Sequence, residues 1–247
     1  MKKVLYFLLV AVFLLTEAAW SFDCNSHCFY GIEGSVDDSL CRDGYAVGYD
    51  YLRKVPKWVA YRITRQSVSD SVTLDEAFAE DMAIPYTYRI RPDDYAEDDF
   101  VMGQMAPTSL VGFTPKAAKE SYLLSNTIPQ IREFNQGIWN VMTERIRGWA
   151  MARGDLFVIS GPVWGEKPHW MGSDVGIPSG FFTVVYDPYP NEMLAFVFPH
   201  QDIAPEELPS YQVPVDTVEI LTGLDFHGKL SDRDEFAMES SKMELWH

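Results

Sequence analysis

The chain has 247 residues, of which 47% are hydrophobic, enough to build the core of one large domain or two small ones. A mean hydropathy near zero excludes a polytopic membrane protein. The formal net charge is −16, with 20 basic and 36 acidic residues. Because the electrostatic field of a strongly negative chain repels polyanions at long range, this charge disfavours nucleic acid as a partner.

Residues 1–21 have the form of a secretory signal peptide. A basic pair precedes an apolar run of about a dozen residues, and small residues offer a cleavage site before Phe22. That run is shorter than the ~20 residues that a membrane-spanning helix needs, so an uncleaved anchor is the less favoured alternative. The sequence therefore predicts a secreted or periplasmic protein with one domain at residues 22–247 and no membrane association after cleavage.

Three cysteines, Cys24, Cys28 and Cys41, lie near the start of the predicted domain. In an oxidising compartment they predict one disulfide between Cys41 and either of the other two, with the third as a free or intermolecular thiol. A metal site that includes His27 is the alternative. The sequence offers no second cluster of cysteine and histidine to complete four ligands, which disfavours that site.

The first half of the domain is predicted to contain a β-hairpin followed by irregular structure. Alternating apolar residues predict strands at residues 44–51 and 58–63. A polar stretch then runs to residue 92, with one short helix expected at residues 74–80. An amphipathic helix is predicted at residues 136–153, because apolar residues recur there at three- and four-residue spacing before a glycine stop signal.

The second half is predicted to supply most of the sheet. Apolar runs bounded by Gly, Pro or Asn predict strands at residues 156–159, 180–186 and 193–198. Residues 161–178 are predicted to form a long loop. Residues 215–221 fit either a helix or a strand, and the acidic C-terminal tail is predicted to be helical. Together these elements predict a single α+β domain with a central, mostly antiparallel sheet.

The words Leu-Ser-Asn, Pro-Gln and Asn-Gln-Gly-x-Trp follow one another between residues 124 and 139. This pattern resembles the DNA/RNA non-specific endonucleases, which are ββα-metal nucleases. Shorter words in the family's order occur at residues 58–64, 160–162, 177–178 and 222–226. The resemblance implies a ββα-metal nuclease core, nucleic acid as the substrate and one Mg²⁺ ion that assists phosphodiester hydrolysis.

By resemblance, Asn135 is the metal ligand and Asn126 is a second catalytic asparagine. The family's Asp-Arg-Gly-His word aligns with residues 101–104, and there this chain departs from it. Gln104 stands at the position of the general base, where a carboxamide cannot accept a proton near neutral pH. Met102 replaces an arginine that would stabilise charge on the phosphoryl group.

Two further positions depart from the family pattern. The glutamate that orders the metal's waters aligns with Thr143, eight residues after Asn135. On an ideal helix the neighbouring Glu144 points about 180° away from Asn135, so it does not replace that acid. A second family arginine aligns with Glu76, which reverses the charge at that position.

These departures predict an exported family member whose nuclease activity is impaired. One alternative is an active nuclease that uses another base, for which the candidates are Asp98, Asp99, His169 and His200. The other is a non-enzymatic binding module with a protein partner. Its candidate contact surface contains the aromatic and imidazole side chains of Trp164, His169 and Trp170.

Overall fold

The computed structural model describes residues 24, 26–28, 31–72, 74, 76–95, 99–172 and 174–246, so the predicted signal peptide lies outside them. Thirteen strands are assigned within these residues. They are β1 Ile32–Glu33, β2 Asp38–Cys41, β3 Ala46–Asp50, β4 Val55–Ile63, β5 Phe100–Gln104, β6 Thr127–Ile131, β7 Leu156–Val163, β8 His169–Met171, β9 Val175–Ile177, β10 Gly180–Asp187, β11 Glu192–Pro199, β12 Gln212–Val213 and β13 Asp225–Phe226.

The helices are shorter and more scattered than the strands, apart from one long helix in mid-chain. The α-helices are α1 Arg65–Ser69, α2 Thr108–Val111, α3 Pro115–Ser121, α4 Arg132–Phe134, α5 Asn140–Arg153, α6 Val215–Thr222 and α7 Asp232–Glu239. One π-helical turn, Asn135–Trp139, joins α4 to α5. Short 3₁₀ turns occur at Tyr86–Tyr88, Pro92–Tyr95, Leu124–Asn126 and Pro205–Tyr211. In the described part of the chain, no helix has the length and apolarity required to span a bilayer.

Seven strands form the central sheet, in the order β12-β11-β10-β7-β4-β3-β2. Every neighbouring pair is antiparallel, which confirms the predicted α+β fold with a central antiparallel sheet. The predicted hairpin is also present, because β3 pairs with β4. Strands β5 and β6 pair separately from this sheet and lead directly into α4.

Both faces of the sheet are covered. Along β10, Phe181 and Val185 pack into one core, which includes the apolar residues of α5 and of the β5-β6 pair. Phe182 and Val184 point the other way, into a second core that includes Val218 of α6 and apolar residues of α7. A strand buried on both faces reads as a continuous apolar run, which is why β7, β10 and β11 could be predicted from the sequence.

The short helix expected at residues 74–80 is a wrong prediction, since the described residues of that stretch are not helical. Ala79 instead forms a parallel bridge with Leu123, and its backbone bonds to Tyr122 and Leu124. A short helix forms earlier in the chain instead, as α1. Thr64 caps it with a reciprocal Thr64-Ser67 capping box, a local signal that the sequence contains.

Three other predictions are refined by the structure. The predicted loop at residues 161–178 contains the end of β7 and the β8-β9 hairpin. The open choice at residues 215–221 resolves as helix α6, which ends at Gly223 in the left-handed conformation (φ 69°). The acidic tail is helical, as α7.

The predicted disulfide is present and joins Cys24 to Cys41. It anchors the start of the described chain to β2, at the edge of the central sheet. Cys28 is the free thiol and is half-buried. Desolvation by burial raises the pKa of the Cys28 thiol to about 12.

We predict that Cys28 reacts slowly with alkylating reagents, because only the thiolate is nucleophilic and the raised pKa suppresses it. At pH 8, modification by iodoacetamide should be at least about 100-fold slower than that of a free cysteine. The measurement is mass spectrometry of the non-reduced protein, with the same protein unfolded in urea as the control. Equal rates in the folded and unfolded protein would contradict the prediction.

Candidate active site

The two sequence motifs meet because β5 and β6 lie side by side. In their register Met102 is opposite Pro129 and Gln104 is opposite Thr127. The chain then continues through α4 and the π turn into α5. Trp139 of the π turn donates its indole N–H to the backbone oxygen of Gln104 at 3.0 Å, which ties the helical segment to β5. This is the ββα arrangement that the sequence predicts.

A cleft of about 400 Å³ opens where these elements meet. Met102, Gln104, Asn135 and Thr143, which the sequence selected from distant positions, all line it. The remaining lining residues are mostly hydroxyl-bearing, amide or aromatic: Ser71, Val72, Phe78, Pro107, Thr108, Ser109, Tyr122, Trp139, Asn140 and Arg147. None of the described lining residues is Asp, Glu or His, and Arg147 is the one lysine or arginine among them.

Asn135 is held in place by a residue that the sequence analysis did not select as functional. The side-chain N–H of Asn135 donates to the carboxamide oxygen of Gln130 at 2.7 Å, and Gln130 is fully buried. Gln130 packs directly over Gly103, where an added Cβ would lie 2.2 Å from the Gln130 carboxamide. Gly103 therefore provides the space that lets Gln130 reach across the hairpin and orient Asn135.

A polar residue within a mostly apolar strand, diagonal to a glycine of the neighbouring strand, was the available signal for Gln130. It lies on β6, whose other residues from Thr127 to Pro129 are buried. Buried side-chain amides are expected to have hydrogen-bond partners. The partner here is the Asn135 side chain, so Gln130 is a positioning residue for the cleft.

The Gln104 side chain is occupied by its own surroundings. Its N–H₂ group donates to the Ser121 backbone oxygen at 2.9 Å and to Thr108 Oγ1 at 3.1 Å. Its oxygen accepts from the Thr108 backbone N–H at 3.3 Å. The carboxamide therefore fixes the chain after β5 onto α2 and α3, in addition to lining the cleft.

Asn126 lies outside the cleft, although the sequence analysis placed it among the catalytic residues. Its side chain is fully buried and makes three hydrogen bonds, each of 2.9 Å. It accepts from the Ala106 backbone N–H and donates to the backbone oxygens of Ala106 and Ser121. This geometry gives Asn126 a structural role, in which it joins the chain after β5 to the end of α3.

The helix presents Thr143 to the cleft and turns Glu144 away from it. Thr143 is buried, and its hydroxyl donates to the Trp139 backbone oxygen at 2.9 Å. Glu144 is exposed and does not line the cleft. The helical segment as a whole begins at Arg132, before the predicted residue 136, and it contains the π turn, in which Gly137 leaves helical geometry (φ −90°, ψ −113°). This irregularity does not bring Glu144 round to the Asn135 side.

The three other proposed bases that the structure describes, Asp99, His169 and His200, do not line the cleft. His200 is engaged on both ring nitrogens: Nε2 accepts from the Ile131 backbone N–H at 2.8 Å, and Nδ1 lies 3.1 Å from the Pro178 oxygen. Burial lowers the pKa of His200 below its ordinary value, which favours the neutral form of the ring. His169 is exposed on β8, and Asp99 is exposed ahead of β5. Asp98 lies outside the described residues.

The aromatic surface that the sequence suggested for a protein partner is smaller than expected. His169 is exposed, and Trp170 is 39% exposed. Trp164 is half-buried instead, because the guanidinium of Arg53 stacks 4.6 Å above its ring. Glu76, which aligns with a family arginine, is exposed and does not line the cleft either.

The donor groups of the cleft do not fit a resident Mg²⁺. Proteins hold Mg²⁺ through one or two carboxylates together with waters or substrate phosphates. Here the described lining residues offer the Asn135 carboxamide, and the Thr143 hydroxyl already donates within its helix. The expected metal ligand is thus in the cleft, but no described carboxylate accompanies it.

The sequence profile of the DNA/RNA non-specific endonuclease family matches residues 25–233. The chain is 30% identical over 209 residues to the mitochondrial nuclease EXOG of Xenopus laevis, covering 77% of this chain and 58% of that protein. Human mitochondrial EXOG is 29% identical, with 80% of this chain and 59% of that protein covered. The chain thus spans somewhat more than half the length of these two relatives.

Other comparisons agree on the family and correct one prediction. Mitochondrial nuclease 1 of Schizosaccharomyces pombe is 27% identical, with coverage of 85% and 72%. The solved structure of the EndoG/EndoGI complex matches with a TM-score of 0.77 and 25% identity, covering 85% of this chain and 93% of that one. The prediction of a secreted or periplasmic location is wrong, because these EXOG and yeast relatives are mitochondrial nucleases. By sequence and by fold, the chain belongs to the DNA/RNA non-specific endonuclease family.

Proposed function

We propose that this chain is a catalytically impaired nuclease, which keeps the family's scaffold and uses the cleft to bind rather than to hydrolyse. The observation that carries the proposal is the lining of the cleft. Among its described residues none is Asp, Glu or His, so neither a proton acceptor nor an acid that would order the waters of a metal ion is within reach. Members of the family are metal-dependent nucleases, and that chemistry needs both groups.

The missing proton acceptor accounts for most of the expected impairment. Gln104 occupies the position of the base, and its amide is both non-basic and bonded to Thr108 and Ser121. Removal of a general base costs about 10²–10⁴-fold in rate. Met102 contributes no positive charge to the cleft, which adds to the loss.

The polarity of the cleft favours a ligand of low charge. Its described walls combine amides and hydroxyls with the aromatic rings of Phe78, Tyr122 and Trp139. Arg147 is the one cationic side chain there, and the whole chain carries a net charge of −16. A long polyanion is therefore disfavoured, while a protein or small polar partner is compatible with these walls.

Incubation of supercoiled plasmid with the purified chain and Mg²⁺ or Mn²⁺ tests the proposal. We expect the plasmid to remain supercoiled under conditions in which an EXOG-type relative converts it fully. An Asn135→Ala variant, purified in parallel, serves as the control for contaminating nucleases. Cleavage by the natural chain that is absent from Asn135→Ala would show a working active site and refute the proposal.

A further inference from the structure

Three carboxylates converge on the face of the central sheet opposite the cleft. Asp216 and Glu219 lie one turn apart on α6, and Glu239 is the last residue of α7. One oxygen from each side chain lies within 4.8 Å of the other two. The residues around them belong to the second core, which α6 and α7 share with the sheet. None of these three residues takes part in the cleft.

Glu239 is the unusual member of this cluster, because it is buried. It is 2% exposed, and its Oε1 atom has no hydrogen-bond donor among the described residues. The ring nitrogen Nδ1 of His227 is 3.5 Å from that oxygen. Burial lowers the pKa of His227 to about 3, so its ring carries no charge at neutral pH.

Among the described residues, no lysine or arginine nitrogen lies within 4.0 Å of an oxygen of these three carboxylates. Burial, followed by repulsion from Glu219 and further nearby carboxylates, raises the pKa of Glu239 to about 9. Burial of Glu219 raises the pKa of that carboxyl as well. Isolated buried charge is costly, so this arrangement requires either a bound proton or a cation.

Several features favour a cation over a proton alone. Glu219 is already oriented, because one of its oxygens accepts the Phe226 backbone N–H at 2.8 Å. All three donors are oxygens, which hard divalent cations prefer. Mg²⁺ demands near-ideal octahedral geometry, whereas Ca²⁺ accepts six to eight oxygens in a flexible arrangement. Three carboxylates that come from two separate helices, with their oxygens within 4.8 Å of one another, therefore suit Ca²⁺ better.

We propose that Asp216, Glu219 and Glu239 form a Ca²⁺ site that ties α7 to α6. The remaining positions around the ion would be filled by water, since Asp216 and Glu219 are half-buried at the surface. Such an ion binds only the folded arrangement of the two helices and therefore stabilises the fold. The site is independent of the nuclease cleft and of whether the cleft is active.

This site can be tested by thermal unfolding of the full chain after treatment with a chelator. The Tm is measured without Ca²⁺ and with Ca²⁺ at about 100 times its dissociation constant. We expect Ca²⁺ to raise the Tm by about 5 °C or more. Titration calorimetry should give one ion per chain. The gain in Tm should be lost in Glu239→Gln and in Asp216→Asn, and the half-exposed position of Asp216 makes the second variant safe for folding.

Two controls locate the ion. Glu206→Gln removes the same charge from an exposed carboxylate elsewhere and should keep the full shift, as should Asn135→Ala in the cleft. The proposal is overturned if Ca²⁺ leaves the Tm of the natural chain unchanged, because the carboxylates would then be neutralised by protons. It is also overturned if Glu239→Gln and Asp216→Asn respond like the natural chain. A shift with Mg²⁺ as large as that with Ca²⁺ would overturn the identity of the ion.

Discussion

A Met102→Arg, Gln104→His double variant is expected to hydrolyse plasmid DNA about 10²–10⁴-fold faster than the natural chain in the presence of Mg²⁺ or Mn²⁺. Both positions line the cleft together with Asn135, so the restored side chains would enter the correct space. The backbone that carries them is fixed by the β5-β6 register and by the Trp139 bond to Gln104.

The groups that now hold the Gln104 amide would also serve a histidine. The Ser121 oxygen and Thr108 Oγ1 accept from Gln104 at 2.9 and 3.1 Å. An imidazole at position 104 would donate one ring N–H to these acceptors, which fixes the tautomer and leaves the other nitrogen as the base. The ordinary pKa of histidine suits proton transfer near pH 7.

A third substitution distinguishes the effect of the missing base on activity from the effect of the missing acid. Thr143→Glu would place a carboxylate on the cleft side of α5, where the family's glutamate aligns. Added to the double variant, it should raise the activity further, and Asn135→Ala in the triple variant should return the activity to background. If the triple variant is inactive while its Tm is unchanged, the cleft has been altered beyond these positions.

The second large effect concerns stability: Asn126→Ala should lower the free energy of unfolding by about 3 kcal/mol, because it removes three buried hydrogen bonds. For a chain of this length, that loss corresponds to a fall in Tm of about 6–12 °C. Ala106 would be left with an unpaired backbone N–H in a fully buried position. Circular dichroism during heating measures the change.

Asn140→Ala is the matched control for this variant. Asn140 borders the cleft, is exposed and lies in α5, where alanine is a favourable residue. Its replacement should change the free energy of unfolding by less than about 0.5 kcal/mol. An Asn126→Ala protein that keeps its Tm, yet abolishes activity in the restored double variant, would show that Asn126 is catalytic and that the structural assignment is wrong.

The strands could be predicted from the sequence because the sheet is covered on both faces. Burial on both faces requires apolar residues at successive positions, and β10 and β11 consist almost entirely of them. Elements held by distant partners were harder to predict. Ala79 is extended because it pairs with residues 122–124, and nothing in its own neighbourhood specifies that pairing.

The candidate site, like the fold, could be predicted only in part from the sequence. The family motifs selected Met102, Gln104, Asn135 and Thr143 from distant positions, and all four line one cleft because the ββα arrangement brings them together. They also selected Asn126, whose side chain bonds to Ala106 and Ser121 outside the cleft, and those contacts follow from how the chain packs after β5. They also missed Gln130 as the residue that orients Asn135.

The sequence by itself determined the chemistry available at the position of the base, because no fold makes a carboxamide basic. Only the tertiary structure decided which other groups could compensate. It engages both ring nitrogens of His200, leaves His169 exposed on β8 and gathers a buried glutamate with two further carboxylates on the opposite face of the sheet. Spacing along the chain does not fix separation in space, so proximity among acids and bases appears only once the elements have packed.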